Sequence, residues 1–530
     1  MQNVFRKLIT AFRNAWSKLK SIRSKINKLM GGRSSDKKMA LLVTLVSMVI
    51  MIIALFVPPF IGVANDGTVS ETMRTVGLDY INSSVDENYN NYFVRTYKNV
   101  YANRGSVTAH TLFVRFARFV DYIFTGDAEF DVRFLALIYF ILYIPAIFIL
   151  VHSALQRLSY FTEKTVVSVV SVMIFCDISL ISYFNSLYAE PIILIGLTYM
   201  IGSAMSLQYS TKYNAGYIII FSTWAAILGF TKRHLFIITF LAAVFIILLL
   251  RIKLTMHSAA IPAISCILLA ISLIAYAIMP SDFTDTSKIH SMTRGVLLQS
   301  SNPEKTLSQF GIDSSYAILA DVSIYDTLPI TDEENPLMHD EFIDKFNAYD
   351  ILLHYMRHPG AFVSMLDIGV KSSFDLSRTF CGNYELSTGM PPRAQSVFWS
   401  AYSIYKVRSA PKTIGYLAIM VAAYIMLSGK KVFSVKDDPD RFHYIYFVVM
   451  TFVVLAGVFD ISYIIINSGD AQLQQFNFAF GICMDFLFYF VLAEILYKLN
   501  ILEKNTMPGE EEKNYEQYKR KRSEKHEAKK

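Results

Sequence analysis

Charge is scarce in this chain: only 18% of its 530 residues are Asp, Glu, Lys or Arg, against about 25% in a soluble globular protein. Apolar residues, at 53%, and aromatic residues, at 14%, fill the gap. Runs long enough to cross a bilayer recur from residue 39 almost to residue 497. That pattern excludes a soluble enzyme and a single-anchor receptor. Cysteine is scarce too. Four are too few for a disulfide framework, and Cys176, Cys266 and Cys483 fall inside apolar runs, so a secreted disulfide scaffold is excluded and no disulfide is expected. The chain also lacks a P-loop, a convincing dinucleotide fingerprint, an HExxH motif and any Cys/His metal spacing, so neither cofactor nor metal is expected. The surplus base behind the net charge of +7 sits where membrane topology wants it, and no nucleic-acid partner is expected.

The apolar runs predict an all-α polytopic membrane protein with about ten spans. They fall at 39–62, 132–155, 164–183, 189–207, 215–230, 235–250 and 258–279, then, after a long polar gap, at 413–427, 442–466 and 473–497. The first run covers roughly 36 Å as a helix. A cleaved signal peptide is the competing reading, but the 38 residues before it are too long for a normal n-region. Those 38 residues hold eleven Lys and Arg against a single acid, and the tail from 498 holds ten more. Loops on the same side add Arg157, Lys164, Lys212, Arg251, Lys253, Lys430, Lys431, Lys436 and Arg441, whereas the short loops opposite carry only Lys232 and Arg233. The positive-inside rule therefore predicts both termini in the cytoplasm.

This orientation divides the chain into a cytoplasmic basic amphipathic segment (1–38), a seven-span module (39–279) with an extracytoplasmic first loop (63–131), a large extracytoplasmic loop (280–412), three further spans (413–497) and a charged cytoplasmic tail (498–530). Within the first loop, Leu112, Phe116, Phe119, Val120 and Ile123 share one helical face, the pattern of a helix lying in the membrane interface. In the large loop, helical stretches over 349–356 and 361–376 are split at His358-Pro359, because proline disfavours helix at the residue before it.

Polar residues at span ends are the candidates for chemistry, since a charge near a span is costly unless it is used or anchored. The first is Asn65-Asp66-Gly67 after the first run, where a carboxylate could accept a hydroxyl proton or the three residues could simply form a turn. The second is Glu190-Pro191 after the third run, equally readable as an acidic, proline-started first turn of a helix. The third is Lys232-Arg233-His234, three donors suited to a phosphate or to lipid headgroups. The fourth is Asn383-Tyr384-Glu385, with Cys381-Gly382 before it and Pro391-Pro392 after it. Amide and aromatic groups together suit a sugar, and they also suit an ordinary loop core.

Taken together, Gly62-Val63-Ala64-Asn65-Asp66-Gly67, the Glu190-Pro191 loop, Lys232-Arg233-His234 and Gly382-Asn383-Tyr384-Glu385 with Pro391-Pro392 resemble the polytopic glycosyltransferases of the GT-C superfamily. Within it they are similar to the bacterial glycan biosynthesis hexose transferases associated with Gram-positive cell-surface glycans. The resemblance runs from the first span to the last. It implies a hexose donor carried on a polyprenyl phosphate in the outer leaflet, a glycan or glycolipid acceptor, membrane lipids around the chain, and inverting transfer. It also implies roles: Asp66 as the base that activates the acceptor, Glu190 as the second acid, and Lys232 and Arg233, with His234, as the groups that meet the leaving phosphate. Asn65 stands where many relatives carry a second acid, so no metal is implied for this chain. The competing class is a flippase, exporter or polymerase component of surface polysaccharide assembly, which has no use for a base beside a phosphate-binding cation.

Overall fold

The computed structural model describes residues 35–505 apart from 103–104, 159, 210–212, 253, 255–258, 282, 325–335, 430–431 and 433–440. The basic segment expected over 1–38 and the charged tail expected over 498–530 lie largely outside the described residues.

The apolar runs fold as helices. Among the described residues six are long and apolar enough to cross a membrane, and the number is eight if each of two bent pairs is one span. In chain order the helices used below are α1 (Asp36–Phe56), α2 (Ala109–Thr125), α3 (Arg133–Leu155), α4 (Phe161–Phe175), α5 (Glu190–Ser206), α6 (Asn214–Gly229), α7 (Phe236–Leu248), α8 (Ala260–Ile278), α9 (Pro303–Gln309), α10 (Ala348–Arg357), α11 (Pro359–Ser372), α12 (Ala401–Ser409), α13 (Ile414–Tyr424), α14 (Arg441–Ser468) and α15 (Phe478–Asn505). Six to eight candidate spans thus stand beside the expectation of about ten, with two shorter apolar helices in addition. Helices α5 and α6 have only 17 and 16 residues, short of the ~20 that a hydrocarbon core needs. All of α5 except Tyr199 is buried inside the protein. A helix wrapped by its neighbours meets no lipid and need not match its thickness.

The protein is mostly helical, as expected of an all-α membrane protein, but the segment between α1 and α3 also holds a small sheet. Three short strands, β1 (Leu78–Tyr80), β2 (Thr96–Asn99) and β3 (Glu129–Asp131), form an antiparallel sheet in the order β1-β2-β3. Strands of three or four residues carry too little alternation to be read from sequence. Helix α2 packs beside this sheet. A Thr108/Thr111 capping box starts it and Gly126, in the left-handed region, stops it. Val114, Ala117 and Asp121 are buried, while Leu112, Phe116, Phe119, Tyr122, Ile123 and Phe124 are exposed. Arg115 turns away from that apolar face to donate to the Thr75 carbonyl at 2.9 Å. The face anticipated for an interfacial helix is thus the one left open.

The segment from residue 285 to 376 builds a second apolar core, in which Met292, Leu307, Phe342, Ile351 and Met365 gather on Ile461 and Ile465 of α14. Helices α10 and α11 break at His358, with Pro359 opening α11. Arg294 ties this unit to the bundle by pairing with Asp470, just beyond α14, at 2.8 Å.

Candidate functional site

The chain after α1 runs along the stretch around Asn383, and backbone hydrogen bonds lock the two together. Gly62 N–H donates to the Asn383 carbonyl at 3.0 Å, Ala64 N–H to that of Gly382 at 2.9 Å, and Phe93 N–H to that of Tyr384 at 2.9 Å. The Asn383 side chain closes the clamp, donating to the Gly62 carbonyl at 2.8 Å and accepting from Ser396 N–H at 3.0 Å. A Cβ on Gly382 would run into the Asn91 carbonyl, so only glycine allows this approach. Glu385 pairs with Arg95 at 3.3 Å. Asn383, Tyr384 and Glu385, anticipated as sugar-binding residues, therefore lie outside the cavity described below and scaffold the loop that presents Asp66.

Asp66 sits in a turn. Asn65 Oδ1 accepts from Gly67 N–H at 2.7 Å, and Gly67 adopts φ 98°, so the turn reading of these residues holds in the structure. The hydroxyl of Tyr188 donates to the Ala64 carbonyl at 2.9 Å and accepts from Asp66 N–H at 2.8 Å. Both carboxylate oxygens of Asp66 are engaged: Oδ1 by the hydroxyl of Thr68 at 2.6 Å, and Oδ2 by Arg378 at 2.5 Å.

Arg378 is the residue that sequence reasoning missed. Its guanidinium joins the two candidate acids, reaching Asp66 with one nitrogen and Glu190 Oε1, at 3.0 Å, with the other. The second nitrogen also donates to the Gln475 carbonyl at 3.0 Å, and the cation lies 4.3 Å from the ring centre of Tyr188. Its side chain is 3% exposed. Burial works against the charge, but Tyr183, Tyr188, Glu190 and Asp66 together outweigh it and hold its pKa well above the ordinary value. Glu190 opens α5 with Pro191 behind it, so it also fills the helix-start role. Its Oε1 accepts from Lys232 Nζ at 3.1 Å. Its Oε2 has no partner among the described residues. Two acids and two bases thus form one chain: Asp66, Arg378, Glu190, Lys232.

This chain borders a cavity of about 240 Å³ whose walls include Thr68, Thr108, Glu190, Lys232, Arg233 and Arg378. Asp66 is not on the wall; it lies directly behind Thr68 and Arg378. Arg233 is on it, 4.4 Å from the ring centre of Tyr276, with a buried Nε that has no partner among the described residues. His234 points elsewhere, 2% exposed, toward Asp460 at 3.9 Å and the ring of Phe476. His234 therefore does not line the cavity: the 3-10 turn at Arg233–Leu235 sends successive side chains to different sides. His110 of α2 also lines the cavity and contacts the Leu187 carbonyl through Nε2 at 2.8 Å. Burial pushes its pKa down to about 4, so it is neutral at physiological pH.

Chemically, the cavity offers cationic donors with unused capacity, Arg233 Nε and Arg378 Nε, next to the carboxylate of Glu190. Buried donors without partners are costly, and an anion with several oxygens would satisfy them. Among the described residues no group of three or more His, Cys, Asp or Glu could hold a metal ion. Arg378 gave one sequence signal: it lies three residues before Cys381, at the head of the polar stretch that had drawn attention.

Residues 23–521 match the family model described as the YfdI N-terminal transmembrane domain. No curated protein matches the chain, and no solved structure does.

Proposed function

The chain belongs to the YfdI N-terminal transmembrane domain family, and from that premise we propose that it is a membrane glycosyltransferase that moves a hexose from a polyprenyl phosphate to a cell-surface glycan or glycolipid. The observation that carries this reading is the linked set Asp66–Arg378–Glu190–Lys232 at the edge of a polar cavity, with Arg233 beside it. Both termini are cytoplasmic in this reading, and the cavity opens on the extracytoplasmic face.

The donor phosphate binds against Lys232 and Arg233, where unsatisfied donors wait. The acceptor oxygen attacks the anomeric carbon on the face opposite the phosphate. The bond from that carbon to the phosphate oxygen breaks, and its electron pair stays with the phosphate. The acceptor proton passes to the Asp66 carboxylate. Negative charge grows on the leaving phosphate, which is where preorganised cations lower the barrier most. Arg378 is paired with Asp66, and that contact must loosen before the carboxylate can reach the cavity and take a proton. The donor phosphate supplies a competing anion for that guanidinium, so donor binding and base release are coupled. Glu190 orients Lys232 and Arg378 toward the phosphate.

A transport or polymerase component would need no base linked to a phosphate-binding cation. The test is turnover of a polyprenyl-phosphate hexose by the Asp66→Asn variant in lipid. The expected result is a loss of about a thousandfold in transfer with normal insertion. Unchanged transfer would remove Asp66 from the mechanism.

A further inference from the structure

The unit built from residues 285 to 376 carries a cavity of its own, of about 220 Å³, between α9 with the turn before it and helices α10 and α11. It shares no wall residue with the cavity at Glu190. Gln299, Ser301, Lys305, Gln309, His354 and His358 line it, and the wall contains neither Asp nor Glu. His354 decides what it can hold. The residue is only 8% exposed, yet neither ring nitrogen has a hydrogen-bond partner among the described residues. Its ring stacks on His358 with centres 4.3 Å apart. The Nδ1 of His358 is used on the His354 carbonyl at 3.0 Å, which leaves its Nε2 for the cavity. The side chains of Gln299, Ser301 and Gln309 make no hydrogen bonds to described residues either.

We propose that this cavity is a second carbohydrate site, which binds a neutral hexose unit of the acceptor glycan away from the catalytic cavity. Identifying the saccharide as acceptor rests on the transferase reading; the binding itself does not. Sugar hydroxyls donate and accept at once, and so do primary amides, serine and neutral imidazole. Burial, with help from His358 and Arg357, pushes His354 down to about 4, so it offers one donor and one acceptor and no charge. An anion would want more cationic donors than the one ammonium, Lys305, on this wall. A transition metal would want more than two imidazoles and no ammonium beside them. A site of this kind would hold the growing glycan while its reactive end reaches the membrane surface, raising the local acceptor concentration.

The experiment uses the full chain in lipid nanodiscs without donor. Saturation-transfer NMR follows a set of neutral hexose oligosaccharides, and His354→Phe and Gln309→Trp serve as variants. Phe keeps the ring and removes its polar atoms; Trp fills the mouth from an exposed position. The expected result is binding to the wild type that falls by about tenfold in both variants, the cost of a lost polar partner. Water-dependent release of polyprenyl phosphate from the donor should be unchanged in both. Binding to no oligosaccharide, or equal binding in all three proteins, overturns the proposal. So does displacement of the saccharide by millimolar inorganic phosphate, which would make the cavity an anion site. Saccharide binding by a protein that transfers nothing would sink the transferase reading and leave this site standing.

Discussion

Two arginines at opposite ends of the helix bundle, one half-buried and one buried, use their charge differently. Arg157, just past the end of α3, gives Nε and a terminal nitrogen to the two oxygens of Glu494 at 3.1 and 3.0 Å. The rings of Phe442 and Tyr497 lie within 3.4 and 3.7 Å of its guanidinium carbon. The space around it is a void of about 20 Å³. Arg378 instead divides its nitrogens between two carboxylates, keeps an Nε without a partner among the described residues, and borders a cavity some ten times larger. Lys406 follows the first pattern, bound to both oxygens of Asp485 with Tyr402 as an additional donor. A closed, bidentate pair fastens helices together. A shared cation with unused capacity beside a cavity is built to change partners.

Each prediction probes that contrast. The largest effect belongs to Asp66→Asn, with its loss of about a thousandfold in transfer and normal membrane insertion. Arg378→Lys keeps the charge but cannot span two carboxylates, and transfer should fall by about a hundredfold. Arg157→Ala is the mirror image. It strands Glu494 and should cost about 3 kcal/mol of stability, read as a lower melting temperature, while turnover per folded molecule stays at wild type. If Arg157→Ala stops turnover while the fold survives, the division between the two ends fails. Asn383→Ala leaves the Gly62 carbonyl and Ser396 N–H unpaired and should cost about 1–3 kcal/mol, with a partial loss of transfer through the displaced Asp66 loop. The smallest effect is in pH. His110 titrates near 4 in the folded state and near 6.5 unfolded. The unfolded chain therefore takes up a proton first as pH falls, and stability drops from about pH 6.5 toward 4. In His110→Gln that part of the slope should vanish from melts recorded between pH 7 and 5.

The sequence made much of this visible. Apolar runs marked the helices, the break at His358-Pro359 marked the α10–α11 corner, and Asp66, Glu190 and Lys232 were legible as charges at span ends that topology alone did not require. Their meeting was not legible, because Arg378 stands 312 residues from Asp66 in a stretch with no motif of its own. Nor could sequence separate Asn383 as a backbone clamp from Asn383 as a sugar ligand, since both roles want the same amide. The number of spans was hard to read for a related reason. A helix like α5, apolar on every side, reads alike whether lipid or protein surrounds it, and only the packed structure distinguishes the two.

The central claim is that the linked charges around Glu190 run sugar transfer from a lipid phosphate. The most direct measurement incubates purified protein in lipid with a polyprenyl-phosphate hexose labelled in the sugar, together with a glycan acceptor. It follows free polyprenyl phosphate and labelled glycan together, for the wild type and for Lys232→Ala. The account predicts that both products appear in equal amounts, and that Lys232→Ala lowers their rate by about a hundredfold. Labelled lipid that stays intact with every donor and acceptor tried, or a Lys232→Ala rate equal to wild type, would contradict it.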